Sequence, residues 1–173
     1  MYKIIIIIGQ SASGKTTFVK QNYCKEPIKL IEKPFKHTIS QDKICLIGDY
    51  TSDKRCCGTD VLSMTIQSQI IEFINQNINN YDTIIMEGDR INQTKVFDAI
   101  AKLKVSTKLY YFYCTLEDSC KRRETTGSNS SETFVKTTIT KSLNMKNYAK
   151  RLGFDIEEIN TGTKQEIKQK SLF

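Results

Sequence analysis

Near the amino end the chain reads Gly9-Gln-Ser-Ala-Ser-Gly14-Lys15-Thr16, which satisfies GxxxxGK[ST] at every fixed position. No other feature restricts the fold as much, because the pattern works only where a strand runs into a tight loop and the loop opens a helix. Both flanks agree with that demand. Residues 2 to 8, YKIIIII, form a β-branched run suited to a strand buried on both faces of a parallel sheet, and Thr16 to Tyr23 predicts a helix leaving the loop. A loop with few bulky side chains can turn successive backbone N–H groups toward phosphate oxygens at the positive end of a helix dipole. The expected phosphate-binding residues are Gly9, Gln10, Ser11, Ala12, Ser13, Gly14, Lys15, Thr16 and Thr17, with the Lys15 ammonium as a point charge. The Thr16 hydroxyl is placed to ligate Mg²⁺ between the β- and γ-phosphates, so ATP with Mg²⁺ is the expected ligand pair.

The rest of the chain continues the alternation. Phe35 to Ser40 and Lys43 to Gly48 are extended in character, with Gln41-Asp42 as a tight turn between them, and 49 to 60 reads as a polar loop. Leu62, Ile66, Ile70, Phe73, Ile74 and Ile78 recur at helical spacing, with Asp60 as the candidate N-cap. A strand is expected over Thr83 to Met86, a helix around Val96 to Leu103, and a strand over Leu109 to Cys114. Then follow a helix over Leu116 to Glu124, a loop over Thr125 to Ser131, a long helix over Glu132 to Leu152 and a last strand over Phe154 to Ile159. Strands alternating with helices predict an α/β fold: a three-layer P-loop NTPase of the nucleotide-kinase kind, with a mainly parallel central sheet and a helical lid. A length of 173 residues suits one domain, expected over 1–160, followed by a polar tail over 161–173.

Charge and cysteine usage narrow the setting. Twenty-six Lys plus Arg against nineteen Asp plus Glu give +7, which favours polyanionic partners. No apolar run is long enough to cross a bilayer, so no membrane association is expected. Cys24, Cys45, Cys56, Cys57, Cys114 and Cys120 contain no CxxC pair, which predicts free thiols and a cytoplasmic protein. His37 is the only histidine, which excludes a metal site built on a histidine pair.

Among proteins with such a loop, GTPases read guanine with an Asn/Thr-Lys-x-Asp motif after a strand; the comparable stretch here, Thr115-Leu-Glu-Asp118, lacks the lysine. The candidate Walker B strand ends Glu87-Gly88-Asp89-Arg90, which suits a small phosphotransferase better than a motor ATPase. Small kinases close an arginine-bearing lid over the transferring group, and Lys121-Arg122-Arg123 before the Ser/Gly-rich segment fits that part or a solvated helix end. Together with the loop and this lid, GDYTSDKRCCGTDVLSM at 48–64 and EGDR at 87–90 resemble the phage P-loop kinases that phosphorylate 5-hydroxymethyluracil in DNA. The resemblance covers most of residues 3–152; Cys56-Cys57 stands as an insertion between Arg55 and Gly58. It implies transfer of the γ-phosphoryl of ATP to the base hydroxymethyl group within DNA, in a host-cell cytoplasm.

An alcohol acceptor needs a carboxylate within reach of its proton. Asp49, Glu87 and Asp60 are the candidates; Asp49 is favoured as base because it follows a predicted strand. Glu87 serves either as that base or as a holder of Mg²⁺, and Asp60 either lines the substrate site or caps a helix. Arg55 and Arg90 offer guanidinium forks for a substrate phosphate or simple surface ion pairs, and Tyr50 offers a ring for base stacking or for partial burial. The catalytic set expected is therefore Lys15, Asp49, Glu87, Arg122 and Arg123. Lys33, Lys36, His37, Lys54, Arg55, Lys102, Lys104 and Lys108 are candidates for a basic DNA-facing surface, and Lys164, Lys168 and Lys170 for a nonspecific grip from the tail. A kinase for free nucleosides or nucleotides, and a nucleotide-gated DNA-binding ATPase, are the competing functions.

Overall fold

The computed structural model describes residues 1–41, 43–51, 57–125, 127 and 131–162. Asp42, Lys54, Arg55, Cys56, loop residues 126 and 128–130, and Lys164, Lys168 and Lys170 lie outside the described residues.

The isoleucine run becomes β1 (Ile4–Gly9), and its alternation explains the layers. Ile4, Ile6 and Ile8 face one side, against residues of α2 (Gln67–Asn77), α3 (Thr94–Lys102) and α5 (Glu132–Arg151). Ile5 and Ile7 face the other, against Phe18, Val19 and Tyr23 of α1 (Lys15–Tyr23). All five are at most 7% exposed. Full burial of such a side chain stabilises by about 1.5–3 kcal/mol, so this strand anchors both helical layers.

Around β1 lies a seven-stranded, mostly parallel sheet. Besides β1 it contains β2 (Ile28–Ile31), β3 (His37–Ser40), β4 (Ile44–Ile47), β5 (Thr83–Glu87), β6 (Thr107–Tyr113) and β7 (Asp155–Asn160), in the order β2-β3-β4-β5-β1-β6-β7. Five strands, β4, β5, β1, β6 and β7, run parallel; β2 and β3 add an antiparallel edge. After β1 the chain leaves toward the β2–β4 side, returns to β5, and then crosses β1 through α3 to reach β6. Connections therefore diverge above the carboxyl end of β1, between β5 and β6, where open α/β sheets form their ligand crevice. The helix that follows β6, α4 (Leu116–Thr125), packs on α5.

Three expectations need correction. The hairpin of β3 and β4 was expected, but β2 was not: Ile28–Ile31 is short, partly exposed and lies between Pro27 and Pro34, so it carries neither alternation nor a continuous apolar run. The helix expected to begin behind Asp60 begins at Gln67, with no side-chain cap. Thr59–Val61 is a 3₁₀ turn, Leu62 is extended, and Ser63 Oγ accepts from Thr65 N at 3.2 Å. Such local side-chain bonding competes with helix, although Leu62 and Ile66 still reach the core. Finally, Thr161, the first residue of the expected polar tail, is packed with the domain: it is 4% exposed and its amide bonds Tyr113 O at 2.8 Å.

Candidate functional site

The Gly9–Thr16 loop sits at the crevice. Gly9 crosses so close to β6 that an added Cβ would lie 2.2 Å from Phe112 O. Ala12 (φ 59) and Gly14 (φ 87) adopt left-handed conformations, an alternation that curls a backbone into a concave nest of amides. For Ala12 that conformation costs about 1–2 kcal/mol, so something must hold the loop.

Its carbonyls show what does. Gly9 O and Gln10 O accept from the Lys15 ammonium at 3.1 and 2.7 Å, and Gln10 O also accepts from Ser13 Oγ at 2.8 Å. Ser11 O accepts from Ser119 Oγ at 2.5 Å, Ala12 O from Arg122 Nη1 at 3.4 Å and Ser13 O from Thr161 Oγ1 at 3.2 Å. Gly14 O takes Phe18 N at 3.0 Å within α1. Six consecutive carbonyls are thus occupied. The amides of Ala12, Gly14, Lys15 and Thr16, by contrast, bond to nothing among the described residues. That asymmetry is what an anion site needs, because the donors are left without competing acceptors.

The Gln10 side chain is 2% exposed and turns away from the nest, donating to Cys114 O at 2.9 Å and Cys114 Sγ at 3.2 Å. Only its main chain remains available to a phosphate. Ser11 N bonds Thr138 Oγ1 of α5 at 3.2 Å, and Thr17 lies exposed on α1. Burial pushes the Lys15 ammonium below its usual range, opposed by the charges of Glu87, Asp60 and Asp89.

Carboxylates arrive from the two neighbouring strands on the β4 side. Glu87 ends β5, is 4% exposed, and accepts from Thr16 Oγ1 at 2.8 Å. Burial raises its carboxyl, against the opposing effects of Lys15 and the Thr16 hydrogen bond. Asp49 follows β4 and is half-buried; its Oδ1 accepts from Thr51 N at 3.0 Å and Thr51 Oγ1 at 2.7 Å. Asp60 is exposed, yet within electrostatic reach of Lys15 and Glu87.

Glycine decides how these parts meet. Asp49 and Gly58 form an isolated antiparallel bridge, and Gly58 presses so near Glu87 that an added Cβ would lie 2.5 Å from Oε1. Thr59 Oγ1 then donates to Glu87 O at 2.5 Å. Beside them the Tyr50 ring is 4% exposed, packed with Phe18 and Leu46 in the core rather than offering a face to an incoming base. Its hydroxyl is near enough to influence Glu87, yet among the described residues no acceptor meets it in hydrogen-bonding geometry.

The arginines separate. Arg122 reaches the loop and Thr161; Arg123 bonds the Ser11 hydroxyl and lies 4.9 Å from the Phe134 ring centroid. Both stand at the rim of the nest instead of out on a distant lid. Arg90 turns to the 62–64 segment, donating to Leu62 O at 3.2 Å and contacting Met64 sulfur, so it does not point into the nest. Arg55 lies outside the described residues.

The proposed basic surface divides between the two ends of the sheet. Lys36 O accepts Gly48 N at 3.0 Å, which puts Lys33 and Lys36 at the crevice end. Lys102, Lys104 and Lys108 flank the start of β6, at the opposite end, where Lys108 pairs with Asp155 and Glu157 at 3.0 and 3.3 Å. His37 is 3% exposed among Phe35 and Phe73 and faces no surface.

Sequence reading missed Gly58, Thr59, Ser119, Thr138 and Thr161, and the Lys141–Asp89 pair at 2.7 Å that joins α5 to the end of β5. Gly58 and Thr59 did stand in a glycine-bearing loop; the others carry no local signal, since Thr161 is 148 positions from its partner. Among the described residues no group of three His, Cys, Asp or Glu side chains could cage a metal. No helix among them is long and apolar enough to cross a membrane. No protein-family model matches the chain, and no curated protein matches it either.

Proposed function

We propose that this chain is a P-loop kinase that uses Mg²⁺ and ATP to phosphorylate an alcohol, the hydroxymethyl group of 5-hydroxymethyluracil in DNA. The observation that carries the phosphotransferase part is the loop whose six carbonyls are engaged while four amides are left to an anion. The acceptor rests on the sequence resemblance.

The residues fit Mg²⁺ arriving with a nucleotide. Such an ion keeps several waters and uses one or two protein oxygens plus phosphates, and the Thr16–Glu87 pair supplies oxygens without a complete protein cage. When bound, it would draw off charge developing on the transferred group. The chain's own groups divide the remaining work. Loop amides and Lys15 hold the phosphates; Arg122 and Arg123 add positive charge at the rim. Asp49, half-buried one strand over from Glu87, accepts the acceptor's proton, while deeply buried Glu87, tied to Thr16, serves the metal side. A base inside duplex DNA must leave the stack to reach such a crevice.

The deciding experiment supplies labelled ATP with hydroxymethyluracil-containing DNA, ordinary DNA and free nucleosides. Label is expected in the modified DNA alone. Label only on free nucleosides would assign the acceptor to the monomer pool, and hydrolysis without any labelled product would reduce the protein to an ATPase.

A further inference from the structure

Of the groups that reach the nest from outside the motif, one comes from the far side of the sheet order. Thr161 follows β7, is 4% exposed, and lies against a segment nearly the whole chain away. We propose that Thr161 is a positioning residue for the nucleotide's phosphates: its hydroxyl holds the Ser13 carbonyl outward and thereby keeps the Gly14 amide turned into the nest. This inference rests on the nucleotide-binding function proposed above.

The geometry of the peptide unit supplies the mechanism. A trans peptide is planar, so the Ser13 carbonyl and the Gly14 N–H point in opposite directions and can only rotate together. Most residues would resist that rotation through their own Cβ. Gly14 does not, because glycine tolerates both signs of φ, and here it already sits at φ 87. The same freedom that lets the loop form also lets this peptide flip, which would present a carbonyl oxygen to the anion in place of an amide. Something outside the motif has to bias it.

Hydrogen-bond accounting assigns that task to Thr161. A hydroxyl has one proton and two lone pairs. Two carbonyls compete for the proton, Ser13 O at 3.2 Å and Tyr113 O at 3.3 Å. Tyr113 O already accepts Thr161 N at 2.8 Å, whereas Ser13 O accepts no other donor among the described residues, so the proton belongs on Ser13. Arg122 Nη1 donates to the hydroxyl oxygen at 3.2 Å and Nη2 to the Thr161 carbonyl. The first donation takes a lone pair of the hydroxyl and polarises its O–H, and the second holds the residue's main chain in place. Ser13 is 0% exposed, so the lost bond cannot be replaced from bulk water while the carbonyl stays where it is. Without the threonine proton the carbonyl is left bare or the peptide turns.

The test compares Thr161→Val, which keeps the shape and loses the hydroxyl, with Thr161→Ser, which keeps the hydroxyl and loses the methyl. Calorimetric titration with Mg·ATP and with Mg·tripolyphosphate reads the phosphate site, and thermal unfolding of each variant verifies that it is folded. Loss of one buried hydrogen bond predicts about tenfold weaker binding of both probes by Thr161→Val, with Thr161→Ser within about twofold of the parent. Equal affinity for Thr161→Val and parent overturns the proposal, as does an equal loss in both variants, which would implicate the methyl group. If the parent itself binds neither probe, the nucleotide-binding function falls and this role falls with it; that pattern differs from the other two.

Discussion

Gly58→Ala is the most demanding perturbation of the site, because one methyl group meets three constraints. Gly58 sits at φ 64, ψ −141, a conformation almost confined to glycine, and forcing alanine into it costs about 1–3 kcal/mol. The new Cβ would stand 2.5 Å from Glu87 Oε1 and 3.1 Å from the Tyr50 hydroxyl. The first distance is below any real contact, so either the Glu87 carboxylate swings off Thr16 or the Asp49–Gly58 bridge, with its bonds of 3.1 and 2.6 Å, opens. For a chain of this size each kcal/mol moves the unfolding midpoint by about 2–4 °C, so a fall of about 2–12 °C is expected. Turnover should drop at least about tenfold, since either response displaces one carboxylate of the proposed chemistry, Glu87 in the first case and Asp49 in the second. Differential scanning calorimetry and the labelled-ATP assay measure the two effects. Repeating the substitution in a Glu87→Ala background separates them: the clash with the carboxylate is gone and only backbone strain remains, so the stability loss should shrink. A Gly58→Ala protein with an unchanged midpoint and full turnover would refute the close packing of Gly58 on Glu87 as the organising contact of the site.

Other expectations follow from the same geometry. Lys15→Ala removes the ammonium that serves the nest and should lower transfer by at least about 10²-fold in the labelled-ATP assay, whereas near-normal turnover would discard the phosphate-loop mechanism. Burial among Phe35 and Phe73 holds the His37 imidazole below its ordinary value, against the bond to Phe35 O, so the unfolded chain takes up a proton more readily than the folded one. Stability should therefore be intact above about pH 6.5 and decline as pH falls below it, by at most about 1.4 kcal/mol per pH unit; urea titrations of the parent and His37→Leu at several pH values would show a slope lost in the variant, and identical slopes would contradict the burial argument. If DNA is the acceptor, activity should fall steeply with salt, while a shallow dependence would favour a mononucleotide.

What could be read in advance depended on how local the governing physics is. The isoleucine run announced β1 because an unbroken β-branched stretch marks a strand buried on both faces in its own residues, whatever later covers it. Lys15, Thr16 and the glycines were legible for the same reason: the loop's backbone demands those residue types at fixed spacing. Glu87 and Asp49 were recognisable as acids following strands, but their different burial, which suggests different duties, is a property of the packed crevice. Asp60 illustrates the opposite failure. It has the right residue type for a cap, yet Thr59 is drawn to Glu87 O and the helix waits until Gln67. The group furthest from reach was Thr161, an ordinary threonine in a polar stretch whose importance exists only once β7 lies beside β6.

Because Ser119, Arg122, Thr138 and Thr161 come from the second half of the chain, the eight-residue signature is local in spelling only. A nascent polypeptide released at residue 90 would carry the complete motif and the strand before it, with none of those four side chains to restrain the main chain. If the chain binds nucleotide as proposed above, capture should therefore arise late in folding, after β6, α4, α5 and β7 have docked, and its appearance in a refolding trace would mark assembly of the entire sheet. Sequences that merely spell the signature, without such distant supports, need not bind triphosphate at all.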